Sequence, residues 1–588
     1  MLSDLSSAWL LLAWVWPLLL AVLAPQPRLW WLPPPGALPA LLTAVLAPTG
    51  LQLDLPWLIL GTTLGLDATA RLYLLFTALL WLVAGVFAAS MHRPAPSGAK
   101  TDCWQTGRFN ALFLLAMAGH FWLILGLDLI SFYVGFAMMG LASYALVVHE
   151  GTPEALQAGR VYLIMALLGE VVLFAGLTMI AVQTGSMQPS AHQLTQLDDL
   201  TIALVLLGLA VKAGIFPLHL WLPLAHPAAP VAASAVLSGA MIKVALLGWL
   251  RFLPVGAVAW PHWGSALVLM GVLTLLFALI VGLTQRDLKV ILAYSSISKM
   301  GFLLLLLGVL LLEPELAPVG VPALVLYVAH HGLVKGGLFL GVGLRKQAGQ
   351  GWQPLILAGL ACLALAMVAA PLTSGAVAKY VTKPLLTELP ATWNWLGPVL
   401  ILANVATVLL MARLLWLSWQ LKSPVTPATA SANSHQRGPV IAWSLLTGVI
   451  LLLPLVLYRP SAWLGDAPGM MAGVALAAAV IWLTRLGLNP LLAAVGRIPP
   501  GDLLAAFSLA THRLRLLHMR RADNPANVWR QLQTRLSAQR ATPPSHHTKT
   551  ARTPATAIHE PLTWPVVGAL WLSLGAALLL FLLAGQLD

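Results

Sequence analysis

The feature that most constrains the fold of this chain is the recurrence, along nearly its whole length, of apolar runs about 20 residues long, the span of a bilayer core. Only 9% of its 588 residues are charged and 59% are hydrophobic. Soluble domains carry about 25% charged residues, so a soluble globular fold is excluded, and a disordered chain with it. Inside a bilayer every backbone N–H and C=O must be paired within the protein, which helices achieve segment by segment. The fold class expected is therefore an all-α polytopic membrane protein.

The runs predict about 16 spans. They cover residues 8–24, 36–50, 70–91, 108–127, 129–148, 160–183, 200–219, 229–253, 263–283, 290–312, 321–343, 354–387, 394–419, 439–458, 469–490 and 563–585. Pro33, Pro34, Pro35 and Gly36 precede the second run, and residues 51–67 read as an extracytoplasmic excursion. Met1–Ala8 holds no Lys or Arg; a cleavable signal peptide has a basic start, so 9–24 is expected to be a retained first span.

Loop charge orients such a chain, because Lys and Arg accumulate on the cytoplasmic side. With the N-terminus outside, Arg93, Lys100, Arg108, Arg160, Arg286, Lys289, Arg345, Lys346, Lys422 and Arg437 all fall in inside loops. The outside loops 184–199, 254–262, 313–320 and 388–393 contain no Lys or Arg. The expectation is an integral protein of a bacterial cytoplasmic (inner) membrane with both termini on the periplasmic side.

The net charge of +13 would suggest nucleic acid in a soluble protein. Here it concentrates between Arg497 and Arg552, where ten Lys or Arg face two acids, Asp502 and Asp523. Residues 501–540 have apolar side chains at helical spacing, including Leu503, Leu504, Phe507, Leu514 and Leu517. This reads as a basic amphipathic helix along the cytoplasmic face, followed by a flexible linker over 541–556. It would bind a partner subunit or rest on anionic lipid; aromatic interleaving is lacking, so no nucleic acid is expected. Two distant cysteines, Cys103 and Cys362, form no metal or redox motif. No GxGxxG and no phosphate loop occur. No cofactor, metal or catalytic centre is expected from this chain, and no bound quinone.

Charged groups inside a membrane are costly and mark ion pathways. Lys212 sits near the middle of the seventh run, five residues before Pro217, which would break or kink the helix. Lys243 lies mid-span after a crowd of small residues, Ala232 to Ala240, suited to close packing or a water pocket. His331 and Lys335 are four apart on the eleventh span and share a helix face; a buried histidine and lysine can pass protons. Lys379 is flanked by Pro371, Gly375 and Pro384, a pattern for an unwound intramembrane segment. Glu170 is the one clear mid-span carboxylate and would pair with a lysine or with small polar neighbours. Lys299, His330 and His219 are secondary candidates; Lys299 could instead snorkel to an interface, and His330 could be structural. A row Lys212, Lys243, His331/Lys335, Lys379 is suited to a proton relay, whereas sodium would favour carboxylates and carbonyls.

The stretches VKAGIFPLHLWLPLAHPAAPVAASAVLSGAMIK (211–243), LTQRDLKVILAYSSISKMGF (283–302), HHGLVKGGLFL (330–340) and PLTSGAVAKYVTKPLL (371–386) resemble the antiporter-like proton-translocating membrane subunits. That family comprises the distal subunits of respiratory complex I, the large membrane subunit of group 4 hydrogenases and formate hydrogenlyase, and Mrp cation/proton antiporters. The resemblance runs from about residue 60 to 420. It implies a fourteen-helix core of two inverted five-helix repeats, with helices 7 and 12 broken. It implies the central lysine at Lys212, the eighth-helix basic residue at Lys243, the eleventh-helix pair at His331 and Lys335, and the terminal residue at Lys379. One departure stands out. The family run FWELMGLASY is here FYVGFAMMGLASY, so Ala137 replaces the glutamate that pairs with the central lysine. Glu170, on the next helix, is the substitute within reach.

The organisation expected is 1–107 (helices 1–3 and the excursion), 108–253 (first repeat, helices 4–8), 254–420 (second repeat, helices 9–13), 421–490 (helices 14–15), 491–562 (the basic cytoplasmic segment) and 563–588 (the last helix). The function expected is a proton-conducting subunit of a complex I-like or group 4 hydrogenase-like assembly. Its partners would be other membrane subunits, a peripheral soluble subunit and lipid, with redox chemistry left to the partners. A Mrp-type antiporter subunit, or the proton-conducting partner of an inorganic-carbon accumulation complex, are the alternatives.

Overall fold

The computed structural model describes residues 2–26, 29–59, 61–91, 103–421, 430–456, 467–485 and 498. The basic segment 491–562, apart from Ile498, and the expected last span 563–585 lie outside the described residues.

The chain runs α1 (Leu2–Leu23), α2 (Pro33–Gly36), α3 (Leu38–Leu46), a hairpin of β1 (Leu51–Leu55) and β2 (Thr62–Leu66), α4 (Ala68–Met91), α5 (Cys103–Leu125), α6 (Leu129–Val147) and α7 (Pro153–Thr184). There follow α8 (Ala191–Leu194), α9 (Asp199–Ala213), α10 (Leu222–Ala228), α11 (Val231–Gly239), α12 (Val244–Phe252), α13 (Pro261–Thr284), α14 (Leu288–Leu312) and α15 (Ala317–Gln347). Last come α16 (Gln353–Met367), α17 (Ser374–Thr382), α18 (Pro384–Thr387), α19 (Leu396–Gln420), α20 (Ala430–Val456) and α21 (Ala467–Arg485). Among the described residues, 11 helical segments are long and apolar enough to cross a membrane.

Loop acids and hydroxyls start these helices by taking up the first free N–H groups. Asp128 accepts from Ser131 N in α6, Thr152 from Ala155 N in α7, Asp198 from Thr201 N in α9 and Thr373 from Ala376 N in α17. The exposed Asp198 carboxyl is held below its ordinary range, first by its hydrogen bonds from Thr201 and then by one from Gln183.

The helices divide into a centre and a rim. Within the most apolar 18-residue window of Val231–Phe252, 94% of residues are buried, and in that of Leu288–Leu312, 89%. For Pro153–Thr184 the share is 33%, and that helix presents Leu156, Ile164, Leu168, Phe174 and Val182 outward. Apolar surface is tolerated there because lipid, not water, is the solvent.

Three features differ from the sequence expectation. Residues 51–67 form an antiparallel hairpin, Leu51 opposite Leu66 and Leu55 opposite Thr62. It is pinned to the bundle by Asp128, whose second oxygen accepts from Thr63 N at 2.8 Å. The eighth run, 229–253, is two helices joined by a single 3-10 turn, Met241–Lys243. The breaks in the seventh and twelfth runs lie ahead of the residues expected to cause them or sit in them. The seventh ends at Gly214, three residues before Pro217, because Gly214 adopts the left-handed conformation (φ 69°) and its N–H closes onto Val211 O. The twelfth unwinds after Met367, with Ala369 and Leu372 at positive φ. Lys379 itself sits inside the helix α17 that follows.

Candidate functional site

The site is best built from Gly140. Near the middle of α6 its bare α-carbon leaves room for the side chain of Glu170, which reaches across from α7; a methyl at position 140 would overlap Glu170 Oε1 and lie 3.9 Å from Lys212 Nζ. Lys212 occupies the last turn of α9, at the break. Its ammonium donates to Tyr162 Oη at 3.3 Å, and Tyr162 Oη donates to the Gly140 carbonyl at 3.3 Å. The ring centroids of Phe136 and Tyr162 lie 5.5 and 5.7 Å from Nζ, within cation–π range. Glu170 and Lys212 are 6% and 5% exposed. Together with Phe136, Tyr162 and Trp221 they line a cavity of about 10 Å³, room for about one water molecule. Trp221 holds the broken end by donating to Val211 O at 2.8 Å and meeting Tyr162 edge-on. Ala137 is half-buried on α6, one turn before Gly140.

A second centre lies where α11, α14 and α15 meet. Lys243 Nζ donates to the Ser238 carbonyl, one of those freed by the 3-10 turn. Ser238 Oγ bonds Ser296 Oγ at 2.8 Å. Ser296 Oγ donates to Leu292 O at 3.0 Å, and Lys335 Nζ donates to that same carbonyl at 2.9 Å. Lys243 and Lys335 thus hold two backbone carbonyls, Ser238 O and Leu292 O, on either side of the Ser238–Ser296 hydroxyl pair. Tyr73 Oη caps the Lys243 carbonyl at 3.3 Å. His331 is buried on α15, one turn before Lys335. Neither ring nitrogen of His331 has a hydrogen-bond partner among the described residues.

A third region surrounds Lys379. Half-buried, it lines a cavity of about 500 Å³ together with Lys299, Tyr327, Lys383 and Asn404. Lys299 also donates to Thr407 Oγ1 at 3.4 Å. His330 bonds Ser374 Oγ at 3.0 Å, tying α15 to the start of α17. His219, beyond the first break, is enclosed by the rings of Phe216, Phe277 and Tyr294.

The structure therefore brings Glu170 to Lys212, Lys243 to Lys335 and His331, and Lys299 to Lys379, as three separate groups. Sequence reasoning did not single out Tyr162, Gly140, Ser238 or Ser296 as site residues. It also missed His120 on α5, which is buried and accepts from Trp81 Nε1 at 3.1 Å through Nδ1. A histidine inside ALFLLAMAGHFWLILG (111–126) was a signal of the same kind as the intramembrane lysines.

A helical membrane bundle with a buried lysine at its first helix break, buried lysines at its centre and a half-buried lysine in the helix after the second break goes with a match to the antiporter-like membrane subunits. Residues 126–418 match the family described as NADH:quinone oxidoreductase/Mrp antiporter, transmembrane part, and the chain belongs to that family. It is 32% identical to hydrogenase-4 component B of Escherichia coli over 298 residues, 48% of this chain and 43% of that protein. It is 32% identical to NADH-quinone oxidoreductase subunit N of Desulforudis audaxviator over 351 residues, 55% of this chain and 66% of the relative. The chain thus spans between two-fifths and two-thirds of the length of these relatives. A chain in the structure of the Mrp complex from a Dietzia species shares the fold, with a TM-score of 0.64 at 22% identity, covering 81% of this chain and 97% of that one.

Proposed function

We propose that this chain conducts protons as a membrane subunit of a complex I-like or group 4 hydrogenase-like assembly, through Lys212 with Glu170, then Lys243, His331 and Lys335, then Lys379. The observation that carries the reading is the burial of Lys243, His331 and Lys335 in one region of the bundle, with the Ser238–Ser296 hydroxyl pair between the carbonyls that the two lysines hold. Hydroxyls that both donate and accept can re-form bonds in either sense as a proton passes. Two buried lysines offer sodium no oxygen ligand of their own, whereas a lysine amine can take up and release a proton. The membrane relatives and the shared fold support a place among other membrane subunits.

On this reading the core contains two inverted repeats, with the breaks after Ala213 and after Met367 in corresponding places. Glu170 takes the part of the glutamate that Ala137 displaces. The Arg- and Lys-bearing loops face the cytoplasm.

The test is proton uptake into vesicles carrying the chain, followed with an internal pH dye. Lys212→Ala is expected to lower the rate about 10²-fold, the size of a lost proton-transfer group. Equal rates for the wild type and Lys212→Ala would refute the reading.

A further inference from the structure

Two cavities meet where α15 passes α17 and α18. One is the chamber of about 500 Å³ that holds Lys299 and Lys379. The other, about 560 Å³, is a groove lined by Pro318, Val319, Pro322 and Leu326 of α15 on one side and by Val381 and Pro384 on the other. Tyr380, Lys383 and Thr387 line both. Both volumes fall in the range of about 300–1,000 Å³ usual for ligand sites.

The two cavities differ in chemistry. The groove is apolar: Pro318, Pro322 and Leu326 follow one another at four-residue steps and share a face of α15. Val319 beside them is 58% exposed. A recess left unfilled there forfeits the dispersion contacts of its walls. The chamber is cationic. Lys299 and Lys379 are half-buried and Lys383 is exposed, and among the described residues no Asp or Glu lines either cavity. Lys379 and Lys383 are four apart, and Lys383 continues the helical backbone of α17, so two like charges lie on one helix face, an unfavourable pair without an anion between them. Glu388, five residues on, lines neither cavity. The depth is marked as well. Trp393, in the chamber wall, packs 5.9 Å from Trp395, and Trp and Tyr gather at the level of lipid headgroups.

We propose that the groove and the chamber form one binding site for an anionic phospholipid, its phosphate held by Lys383, Lys379 and Lys299 and an acyl chain laid along Pro318, Pro322 and Leu326. Ammonium groups and phosphate oxygens make short, strong hydrogen bonds, and basic pockets between transmembrane helices take anionic headgroups. A free phosphate would use the chamber and leave the groove unfilled. A zwitterionic lipid would bring a cation of its own to the lysines. The anionic lipid alone matches both halves, with Lys383 and Tyr380 where they join. The site does not depend on proton conduction.

The test is photolabelling of the full chain in phosphatidylcholine vesicles that contain a trace of phosphatidylglycerol with a diazirine in its acyl chain. Mass spectrometry then locates the crosslinks, expected within 318–326 and 380–387. The same diazirine carried on phosphatidylcholine is expected to label these stretches about tenfold less, the size of one charge-assisted contact. Equal labelling by the two lipids overturns the site and leaves the groove to any lipid chain. Lys383→Gln is expected to lower the phosphatidylglycerol label by a similar factor, and Lys383→Arg to keep it. Val319→Trp fills the exposed wall of the groove without touching the lysines and should lower the label as well. An unchanged label in Lys383→Gln or in Val319→Trp overturns the proposal. Excess inorganic phosphate should leave the label in place; displacement by it would make the chamber a free-anion site and overturn the lipid as its occupant.

Discussion

The carboxylate of Glu170 fills the space in front of Gly140 that a Cβ would otherwise occupy, and Lys212 Nζ approaches the same point. A carboxylate on α7 therefore shares one small cavity with the lysine at the α9 break because α6 carries no side chain there. On the proposed reading, Glu170 on α7 stands in for the glutamate that the family resemblance leads one to expect at Ala137 on α6.

Gly140→Ala is the first consequence. Alanine favours a helix over glycine by up to about 1 kcal/mol, and the group it would strike is the end of a flexible side chain. The protein should fold with unchanged yield and melting temperature. Proton uptake should nonetheless fall to the level of Glu170→Gln, because the carboxylate is pushed away from Lys212. Thermal melts beside vesicle uptake assays check both halves.

The serine bridge makes a second expectation. Ser296→Ala removes the hydroxyl between Ser238 and the Leu292 carbonyl. Interhelical hydrogen bonds in membranes average about 0.6 kcal/mol, so stability should barely change. Uptake should drop about tenfold, and Ser296→Thr, which keeps the hydroxyl, should retain most of it. Equal loss in both variants would indicate packing rather than a relay.

Asp128 makes the third, and concerns stability. One oxygen caps α6 at Ser131 N and the other holds the hairpin at Thr63 N. Asp128→Ala leaves two N–H groups unpaired, at about 1–3 kcal/mol each, and should lower the melting temperature and expose the hairpin to protease. Asp128→Asn keeps one acceptor and should lose roughly half as much.

Much of the helical architecture was legible because a run of about 20 apolar residues admits few other structures. Intramembrane lysines were visible for the same reason: a charge stands out against Leu and Ala. The hairpin was not, since its strands are only five residues each and the acid that fixes it to the bundle, Asp128, lies 65 residues beyond Thr63. The turn at Lys243 was hidden too. No proline marks it, and the Lys243 side chain itself bonds the Ser238 carbonyl just ahead of it. Ser238 and Ser296 are 58 residues apart, and serine is common where transmembrane helices pack, so nothing local distinguished them. The reach of Glu170 to Lys212 depends on an absent side chain at Gly140, which a sequence shows only as a glycine within a small-residue run.

The most direct test of the account is proton uptake measured side by side for the wild type, Glu170→Gln, and Glu170→Gln combined with Ala137→Glu. The expected result is a loss of about tenfold in the single variant, about 1.4 kcal/mol in the barrier, with substantial recovery in the double variant as the acid returns to α6. A Glu170→Gln variant that takes up protons at the wild-type rate would contradict the claim that Glu170 serves Lys212.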